Sequence, residues 1–241
     1  MMVLANLPVT QINLQHCKEV SSLLANLLSK LHTGIALIQE PWVYKKQVRG
    51  LNIWNGRTYY DTNCDIPRAC ILVLGTVQAR VLRQYTSRDV VAVQVQLQIG
   101  GDNCTVIFGS VYLPYDVKDL PPSQELVNLI KFANDQKLPL IIGCDANAHH
   151  ICWGSSNIND RGGALLEYLV TTDMDILNKG SKPTFVVSRR QEVIDISIAP
   201  LNPDQWLCFW TPLGALPPDS RYRLALRALA MRPCLILETL K

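Results

Sequence analysis

Six polar residues in this chain each follow or end an apolar run, and together their side chains would suit the hydrolysis of a phosphodiester. They are Asn13 in QINLQHC, Glu40 in LIQEPW, Tyr112 in GSVYLPY, Asp145 and Asn147 in GCDANAHH, and Asp195 in EVIDISIA. Taken singly, a carboxylate at a strand end usually forms a cap or a turn, and a lone tyrosine in a strand usually packs against its neighbours. Their common place at the C-terminal ends of predicted strands suggests a shared site.

Each residue type fits a step of that hydrolysis. Glu40 offers an oxygen ligand for Mg²⁺, which binds one or two carboxylates and keeps several waters. Asn13 can donate a hydrogen bond beside it without adding a negative charge. Asp145 could orient and deprotonate an attacking water. Asn147 and Tyr112 could donate hydrogen bonds to the charge that develops on the phosphate.

Two neighbouring features could support other interpretations. The adjacent pair His149 and His150 looks rich in metal ligands, but neighbouring side chains on an extended backbone point apart, and Mg²⁺ prefers oxygen. We therefore predict no zinc and expect His149 to support the site loop. Arg161 is predicted to shape the start of a helix capped by Asp160 or Asn159, and a phosphate contact by Arg161 is the less favoured alternative.

The basic residues Lys45, Lys46 and Arg49 in YKKQVRG come soon after Glu40. They could contact DNA phosphates or form a solvated loop face, and the sequence favours neither. The net charge of +3 and the pI near 8.4 are compatible with a polyanionic partner but are weak evidence for one.

The elements that must position these residues belong to a globular chain of 241 residues, of which 48% are hydrophobic and 18% charged. No apolar run is long enough to span a bilayer, and the start lacks the features of a signal peptide, so we expect an intracellular protein without a membrane partner. The eight cysteines show no paired spacing, which favours buried free thiols in a reducing compartment over disulfides. Oligomeric state is left open.

Short apolar runs alternate with helical patterns along most of the chain. Strands are predicted in VTQINLQHC, IALIQEP, ACILVLG, VVAVQVQLQIGG, CTVIFGSVYLPY, LPLIIG and VIDISIAP. Helices are predicted in VSSLLANLLSKLHTG, PPSQELVNLIKFANDQ and DRGGALLEYLVTT, the second with Leu126, Leu129, Ile130 and Phe132 on one face. The pattern predicts one mixed α/β domain with two packed sheets.

In seven blocks the sequence resembles the endonuclease/exonuclease/phosphatase superfamily, which has the deoxyribonuclease-I-like fold. The blocks are QINLQHC, ALIQEPW, GSVYLPY, IIGCDANAHHICWGS, NDRGGALLEYL, ILNKGSKPTF and VIDISIAP. Within the superfamily, the chain most resembles the apurinic-type endonuclease domain of non-LTR retrotransposons from animals, arthropod-like. The resemblance implies a four-layered α/β/β/α sandwich of two mostly antiparallel sheets. It also implies Mg²⁺-dependent nicking of double-stranded DNA, with Mn²⁺ as a possible substitute, and action in the nucleus.

The same resemblance assigns roles to individual residues. Asn13 and Glu40 match the metal side of the family's site, and Tyr112, Asp145 and Asn147 match the set that contacts phosphate and activates water. Thr184 in PTF matches a position close to the DNA backbone, and the segment SRRQ with Arg189 and Arg190 matches a loop that can enter a DNA groove. Asp195 matches the carboxylate that supports a catalytic histidine near the C-terminus.

The chain departs from the family in its last part. The superfamily's final motif is Ser-Asp-His followed by a closing strand, but the four histidines here are at 16, 32, 149 and 150. We therefore divide the chain into a domain at 1–206 and a divergent tail at 207–241, which replaces the closing strand. We predict a helix in DSRYRLALRALAMR and a strand or continued helix in CLILETL, and expect a sheet edge that the tail must cover.

The histidine of this motif contacts the cut phosphate in family members. Losing one hydrogen-bond donor of this kind commonly lowers the catalytic rate on the order of 10²–10³-fold. Two interpretations follow for the whole chain. It is an endonuclease, or it is a catalytically impaired relic that keeps the fold and at most binds DNA. A weaker alternative is a phosphatase, because the same fold can host that reaction.

Overall fold

The computed structural model describes residues 7–99, 102–188 and 190–201, and the backbone of three later segments, 211–212, 229–231 and 235–240. The strands are β1 (Leu7–Asn13), β2 (Gly34–Gln39), β3 (Val43–Tyr44), β4 (Gln47–Val48), β5 (Gly56–Tyr59), β6 (Ala69–Leu74), β7 (Gln78–Val81), β8 (Val90–Ile99), β9 (Asp102–Tyr112), β10 (Leu140–Asp145), β11 (Met174–Ile176), β12 (Phe185–Val187), β13 (Arg190–Glu192), β14 (Asp195–Pro200), β15 (Thr211–Pro212), β16 (Leu229–Met231) and β17 (Leu235–Leu240). The helices are α1 (Lys18–Leu28), α2 (Gln124–Asp135) and α3 (Asp160–Thr171).

Two sheets form the body of the fold. The first has the strand order β15-β16-β17-β1-β2-β6-β5, and the second has the order β11-β14-β10-β9-β8-β7. Parallel pairs occur at β17–β1, β1–β2 and β9–β10, and the other neighbours are antiparallel. Two short hairpins, β3–β4 and β12–β13, stand outside both sheets.

Three hydrophobic clusters separate four layers. Leu37 of the first sheet and Phe108 of the second belong to the cluster between the sheets. Leu24 of α1 packs on the outer face of the first sheet. Leu129 of α2 and Leu165 of α3 pack on the outer face of the second sheet. The predicted α/β/β/α layering with mostly antiparallel sheets is therefore what the described chain adopts.

The helices α2 and α3 begin where the sequence indicates. Ser123 caps α2 by accepting a hydrogen bond from the backbone N–H of Leu126, and of the two cap candidates for α3 it is Asn159 that accepts from Gly162. The predicted apolar face of α2 packs on the second sheet, with Phe132 at its edge. Phe132 is partly buried, packs against the same cluster and stacks on Tyr85, with ring centroids 4.5 Å apart, and Ala133 is buried beside it.

The tail differs from its prediction. The helix predicted in DSRYRLALRALAMR is wrong at Leu229–Met231, which form strand β16, and the rest of that segment lies outside the described residues. The segment CLILETL contains the strand β17, which pairs in parallel with β1 from Leu7 to Ile12. The edge of β1 expected to need cover is thus paired with tail backbone, which removes the exposed row of donors and acceptors.

Six cysteines fall in the described chain and are free thiols, but only Cys70 and Cys144 are buried. The prediction of generally buried thiols is therefore too broad, since Cys152 is exposed. Within residues 7–99, 102–188 and 190–201, no helix has the length and apolar content to cross a membrane.

Candidate active site

The polar residues singled out in the sequence meet where strands of the two sheets end. In the first sheet Asn13 ends β1 and lies beside Gln39, which ends β2. In the second sheet Asp145 ends β10, next to Tyr112 at the end of the parallel strand β9. Asp195 of β14 lies opposite Asp145 on the other side. The register of the strands therefore brings these residues to one end of the fold.

Asp195 reaches this end by a different route from the predicted one. It is the first residue of β14 and not at the strand's C-terminal end. Because β14 runs antiparallel to β10, its first residue pairs with Asp145, the last residue of β10. Asp195 is buried at 1% exposure, and its backbone carbonyl accepts a hydrogen bond from Asn178 Nδ2 at 2.9 Å.

Thr184, which the resemblance matches to a position close to the DNA backbone, lies against the start of β14. It is buried, and its hydroxyl oxygen accepts hydrogen bonds from the backbone N–H groups of Ile194 and Asp195, at 3.0 and 3.1 Å. Burial and this pair of bonds leave Thr184 as a support for the start of β14.

A side-chain contact between Asn13 and Asp145 joins the two sheets at the site. Asn13 Nδ2 donates to Asp145 Oδ2 at 2.6 Å across 132 residues of sequence, and both side chains are buried. Asn13 Oδ1 accepts from the backbone N–H of Gln15 at 2.7 Å, which fixes the amide's orientation. Asp145 Oδ1 also accepts from the backbone N–H of Asn147 at 3.3 Å. These two donors hold the Asp145 carboxyl group in one orientation.

Glu40 stands on the first sheet's side of the site in a left-handed conformation, with φ of +46°. Its backbone N–H donates to the carbonyl of Arg68 at 2.8 Å, and its carbonyl accepts from the backbone N–H of His16. The His16 ring lies against the carboxylate, with Nε2 3.6 Å from Glu40 Oε1. The Glu40 side chain is 21% exposed, so it is anchored by its backbone while its carboxylate remains open to solvent.

Tyr112 lies among charged groups. Burial raises the pKa of its phenol, and the carboxylates of Glu40 and Asp145 raise it further, while the cation of Arg68 opposes them. The Tyr112 hydroxyl therefore stays protonated and remains a hydrogen-bond donor throughout the neutral and alkaline range used for assays. Glu40 is among its hydrogen-bonding partners.

Arg68 is a charged neighbour of the site that the sequence reasoning did not select. Its guanidinium carbon lies 4.8 Å from the centroid of the Tyr112 ring, and two of its nitrogens bind the carboxylate of Asp89, one at 2.6 Å. Burial works against the charge on Arg68, but the bonds to Asp89 outweigh it and raise its pKa. The signal was available as an arginine directly before the apolar strand β6.

Asn147 and Arg161 stabilise the loop that follows Asp145 through hydrogen bonds to backbone carbonyls. Asn147 has φ of +44°, and its Nδ2 donates to the carbonyl of Leu113 at 3.2 Å. Arg161 Nε donates to the carbonyl of Asn147 at 3.0 Å, and its Nη2 to that of Leu113 at 3.4 Å. Partial burial lowers the pKa of Arg161. Arg161 lies in the first turn of α3, where the sequence placed it, and holds two backbone carbonyls of the adjoining loops.

His149 joins the site loop to the start of α3. Its backbone N–H donates to Asn159 Oδ1 at 3.0 Å, and the backbone N–H of Asn159 donates to the His149 carbonyl at 3.1 Å. A Cβ atom at Gly162 would lie only 1.8 Å from the His149 carbonyl oxygen. Gly162, the first glycine in DRGG, is therefore required by the close approach of α3 to this loop.

The His149 side chain enters a second buried cluster beside the β12–β13 hairpin. His149 Nδ1 lies 2.8 Å from Asn157 Oδ1, and Arg190 Nη2 lies 2.8 Å from His149 Nε2. Glu192 accepts hydrogen bonds from the Ser156 hydroxyl at 2.6 Å and from the Ser156 backbone N–H at 2.9 Å. Burial opposes the ionisation of Glu192, but the Ser156 bonds and the nearby His149 and Arg190 lower its pKa. This cluster ties the hairpin to the site loop.

The basic residues for which DNA contact was one interpretation belong to two separate hairpins or follow them directly. Lys45 and Lys46 form the exposed turn of the β3–β4 hairpin, and Lys46 pairs with Asp65 at 2.8 Å. Arg49 is half-buried, and its backbone N–H donates to the carbonyl of Trp42. Arg190 is half-exposed within the second cluster, and Arg189 lies outside the described residues.

The donor set at the strand ends fits a hard cation with few protein ligands. Within the described chain, no three His, Cys, Asp or Glu side chains form a metal cage. Glu40 provides a partly exposed carboxylate, while the Asn13 carbonyl oxygen is already bonded to Gln15. Mg²⁺ uses one or two carboxylates and retains waters for its substrate, so Glu40 at the mouth of this site can hold it.

A buried polar layer under the site also escaped the sequence reasoning. Gln39 Nε2 of the first sheet donates to Ser110 Oγ at 3.0 Å and to the Gly143 carbonyl at 2.9 Å in the second. Ser197 Oγ donates to Gln11 Oε1 at 3.1 Å in the opposite direction. These bonds fix the spacing of the sheets directly below Asn13 and Asp145. The sequence feature that could have revealed these residues is the single polar side chain inside each otherwise apolar strand.

Comparison with known proteins gives a consistent result. Residues 106–207 match a family model described as endonuclease-reverse transcriptase. Among solved structures, the endonuclease domain of TRAS1, a telomere-specific non-LTR retrotransposon, has a TM-score of 0.63 and 27% identity, covering 80% of this chain and 84% of that domain. No curated protein sequence matches significantly.

Two more distant structures share the fold. The catalytic domain of Xenopus laevis APE2 has a TM-score of 0.55 at 12% identity, covering 80% of this chain and 82% of that one. An endonuclease/exonuclease/phosphatase family protein from Bacteroides thetaiotaomicron has a TM-score of 0.50 at 12% identity, covering 95% and 94%. At this identity the two structures show the fold alone. The family match and the likeness to the TRAS1 domain confirm the resemblance of this chain to the endonuclease/exonuclease/phosphatase superfamily and, within it, to the endonuclease domains of non-LTR retrotransposons.

Proposed function

We propose that this chain is a DNA endonuclease domain, derived from a non-LTR retrotransposon, that nicks double-stranded DNA. The observation that carries the proposal is the 2.6 Å bond from Asn13 to Asp145, which sets a buried carboxylate between the two sheets, close to Tyr112. A carboxylate oriented by the Asn13 amide and the Asn147 backbone N–H, beside a protonated phenol, is an arrangement suited to activating water against a phosphate.

In the proposed reaction, Asp145 takes a proton from a water whose oxygen attacks the phosphorus. The new P–O bond forms as the bond from phosphorus to the 3′ oxygen breaks, and the departing 3′ oxygen takes a proton from solvent water, which leaves a 5′ phosphate and a 3′ hydroxyl. Asn13 keeps the Asp145 carboxylate oriented during this step, since its amide is itself fixed by Gln15. Tyr112 and Asn147 donate hydrogen bonds to the phosphate oxygens as charge develops on them.

Glu40 would hold Mg²⁺, which supplies positive charge against the phosphate oxygens and the leaving oxygen. The protein's own part is to present this carboxylate from a backbone that Arg68 and His16 hold on either side. Arg68, braced by Asp89, adds a fixed cation behind Tyr112.

The proposed DNA surface includes basic residues on both sides of the site. Lys45, Lys46 and Arg49 follow Glu40 in and after the β3–β4 hairpin, and Arg190 opens β13, shortly before Asp195; Arg189 precedes Arg190 in the sequence. Contacts from these residues would orient the duplex without reading its sequence. A chromosomal target would place this activity in the nucleus.

A DNA-binding domain without turnover is the second candidate, and one observation favours it. None of the four histidines follows residue 150, so the family's final histidine has no counterpart in this chain. Loss of one such donor lowers rates on the order of 10²–10³-fold. The proposed enzyme is therefore expected to be slow.

The test is Mg²⁺-dependent nicking of supercoiled plasmid by the purified chain, beside Asp145→Asn and Glu40→Gln. We expect nicking that EDTA abolishes and that both variants lose, because one removes the base and the other the metal carboxylate. Glu167→Gln, an exposed carboxylate on α3, is the matched control and should nick normally. Plasmid binding without nicking at any protein concentration would favour the second candidate instead.

A further inference from the structure

The β3–β4 hairpin beside the site has an unusual turn. Its two turn residues, Lys45 and Lys46, have φ of +50° and +62°. Two-residue turns with positive φ at both positions usually contain Asn-Gly or Gly-Gly, because a Cβ atom is unfavourable there. A costly backbone conformation that is kept with two lysines suggests that their side chains are needed at this place.

Aromatic rings and cations alternate along one side of this hairpin. The Trp42 and Tyr44 rings have centroids 6.3 Å apart and are tilted by 30°. Lys18 Nζ lies 5.5 Å from the Trp42 centroid, and Lys45 Nζ lies 5.5 Å from the Tyr44 centroid. We call these four residues the hairpin face.

The hairpin face is fixed at its inner end and open at its outer end. Trp42 packs against Gly50, where a Cβ atom would come within 3.2 Å of the Trp42 ring. Tyr44, in contrast, is 54% exposed. Trp42 comes two residues after Glu40 in the chain, and Lys18 opens the helix that follows the Asn13 loop. The ring of Tyr44 is therefore open to solvent on a hairpin whose first strand begins three residues after Glu40.

We infer that the hairpin face binds an unpaired base next to the cut phosphate, with the base stacked on Tyr44 and the strand's phosphates near Lys18 and Lys45. Aromatic rings interleaved with cations are how proteins bind single-stranded nucleic acid without sequence preference. A base inside a duplex cannot offer its flat face to Tyr44, because both faces are covered by its neighbours. The inference rests on the proposed function and defines its substrate as DNA with an opened base near the nick.

The experiment measures binding by fluorescence anisotropy in EDTA, so that no cleavage occurs. The probes are a labelled 30-base-pair duplex and the same duplex with three central mismatches. The unaltered chain should bind the mismatched probe more tightly. Tyr44→Ala should weaken that binding about fivefold or more and leave duplex binding nearly unchanged, and Tyr44→Phe should retain it because the ring remains.

Trp54→Ala is the matched control, since Trp54 is the most exposed aromatic of the described chain at 92%. It lies near the opposite end of the first sheet, where its neighbour Asn55 bonds to Gly75 after β6 ends. This variant should bind both probes normally. Lys45→Ala should weaken both probes to a similar extent and reduce the dependence of binding on salt.

Equal binding of the two probes by the unaltered chain, or equal loss of both in Tyr44→Ala, would overturn the inference and indicate that the hairpin contacts only the duplex backbone. The proposed function would still stand if plasmid nicking persists. Failure of the unaltered chain to bind either probe would overturn the inference, and failure to nick or bind plasmid in Mg²⁺ as well would overturn both.

Discussion

Both ends of the first sheet have residues in the left-handed backbone conformation, but the residue types found there differ. At the end away from the site, the turn after β6 has φ of +74° and uses Gly75, where a Cβ atom would lie 2.3 Å from the His32 carbonyl oxygen. At the site end, several left-handed positions carry full side chains, although Gly50, with φ of +80°, is a glycine there. In the described chain they are Gln15, His16, Glu40, Lys45, Lys46 and Asn147, and the two other such residues, Lys137 and Asp173, follow helices α2 and α3.

The difference indicates where the function of a side chain compensates for the cost of an unfavourable backbone conformation. A left-handed conformation costs roughly 1–2 kcal/mol in a residue with a Cβ atom, so glycine is the expected choice wherever the side chain has no task. Glycine is used where backbone contact is all that matters, as at Gly75. Glu40 and Asn147 keep their side chains at comparable positions, and such positions gather at functional sites.

The largest effect on stability is expected at Gly162, where a close backbone contact leaves room only for glycine. Gly162→Ala should lower the free energy of unfolding by about 3 kcal/mol or more, because the added methyl group would overlap the His149 carbonyl. At its neighbour Gly163, also in α3, a Cβ atom would have no other atom of the described chain within 4 Å. Gly163→Ala should therefore stabilise the chain by about 0.5–1 kcal/mol. Urea unfolding of both variants checks this, and similar stabilities would refute the close approach of α3.

Asn13→Ala removes the bond between the two sheets at the site and should have the next largest effect. We expect a loss of about 1.5–3 kcal/mol in stability, because Asp145 would remain buried without the charge-assisted bond from Asn13. If the chain nicks DNA, the rate should fall more than substrate affinity, since Asp145 loses its orientation. Asn26→Ala, in which the replaced amide is an exposed residue of α1, is the control. An unchanged unfolding midpoint in Asn13→Ala would contradict the structural role.

The β-strand ends that carry the site could be read from the sequence, but the contacts between them could not. Polar residues after apolar runs placed Glu40 and Asp145 at strand ends, and Ser123 and Asn159 were recognisable caps. The bond from Asn13 to Asp145 spans 132 residues and depends on how two sheets face each other. Local periodicity has no information on that packing.

The missed residues have a common physical reason. Arg68, Gln39 and Glu192 are defined by their partners in other elements, and each taken alone resembles a surface residue next to a strand. Asp195 was placed at the wrong end of its strand because strand direction follows from pairing, which is a tertiary property. The strand formed by Leu229–Met231 was predicted as helix because its leucine spacing also fits a helix.

Glu192 offers a smaller, pH-dependent effect in the second cluster. Its pKa lies below the ordinary value of 4.5, so its ionised form favours the folded chain. That contribution is complete above pH 4.5 and is lost as the pH falls through the lowered pKa. Glu192→Gln should therefore be less stable than the unaltered chain by about 1–3 kcal/mol at pH 7, and the difference should shrink in acid. Thermal unfolding at several pH values tests this, with Glu167→Gln as the exposed control; a constant difference would contradict it.

The most direct test of the central claim is to make Glu40 resemble Gly75. Glu40→Gly relieves the left-handed backbone and removes the carboxylate, so stability and activity should separate. We expect the free energy of unfolding to change by no more than about 1 kcal/mol, while Mg²⁺-dependent nicking falls on the order of 10²-fold or more. Nicking that survives in Glu40→Gly, or a chain that no longer folds, would contradict the account, because Glu40 would then be needed for structure and not for chemistry.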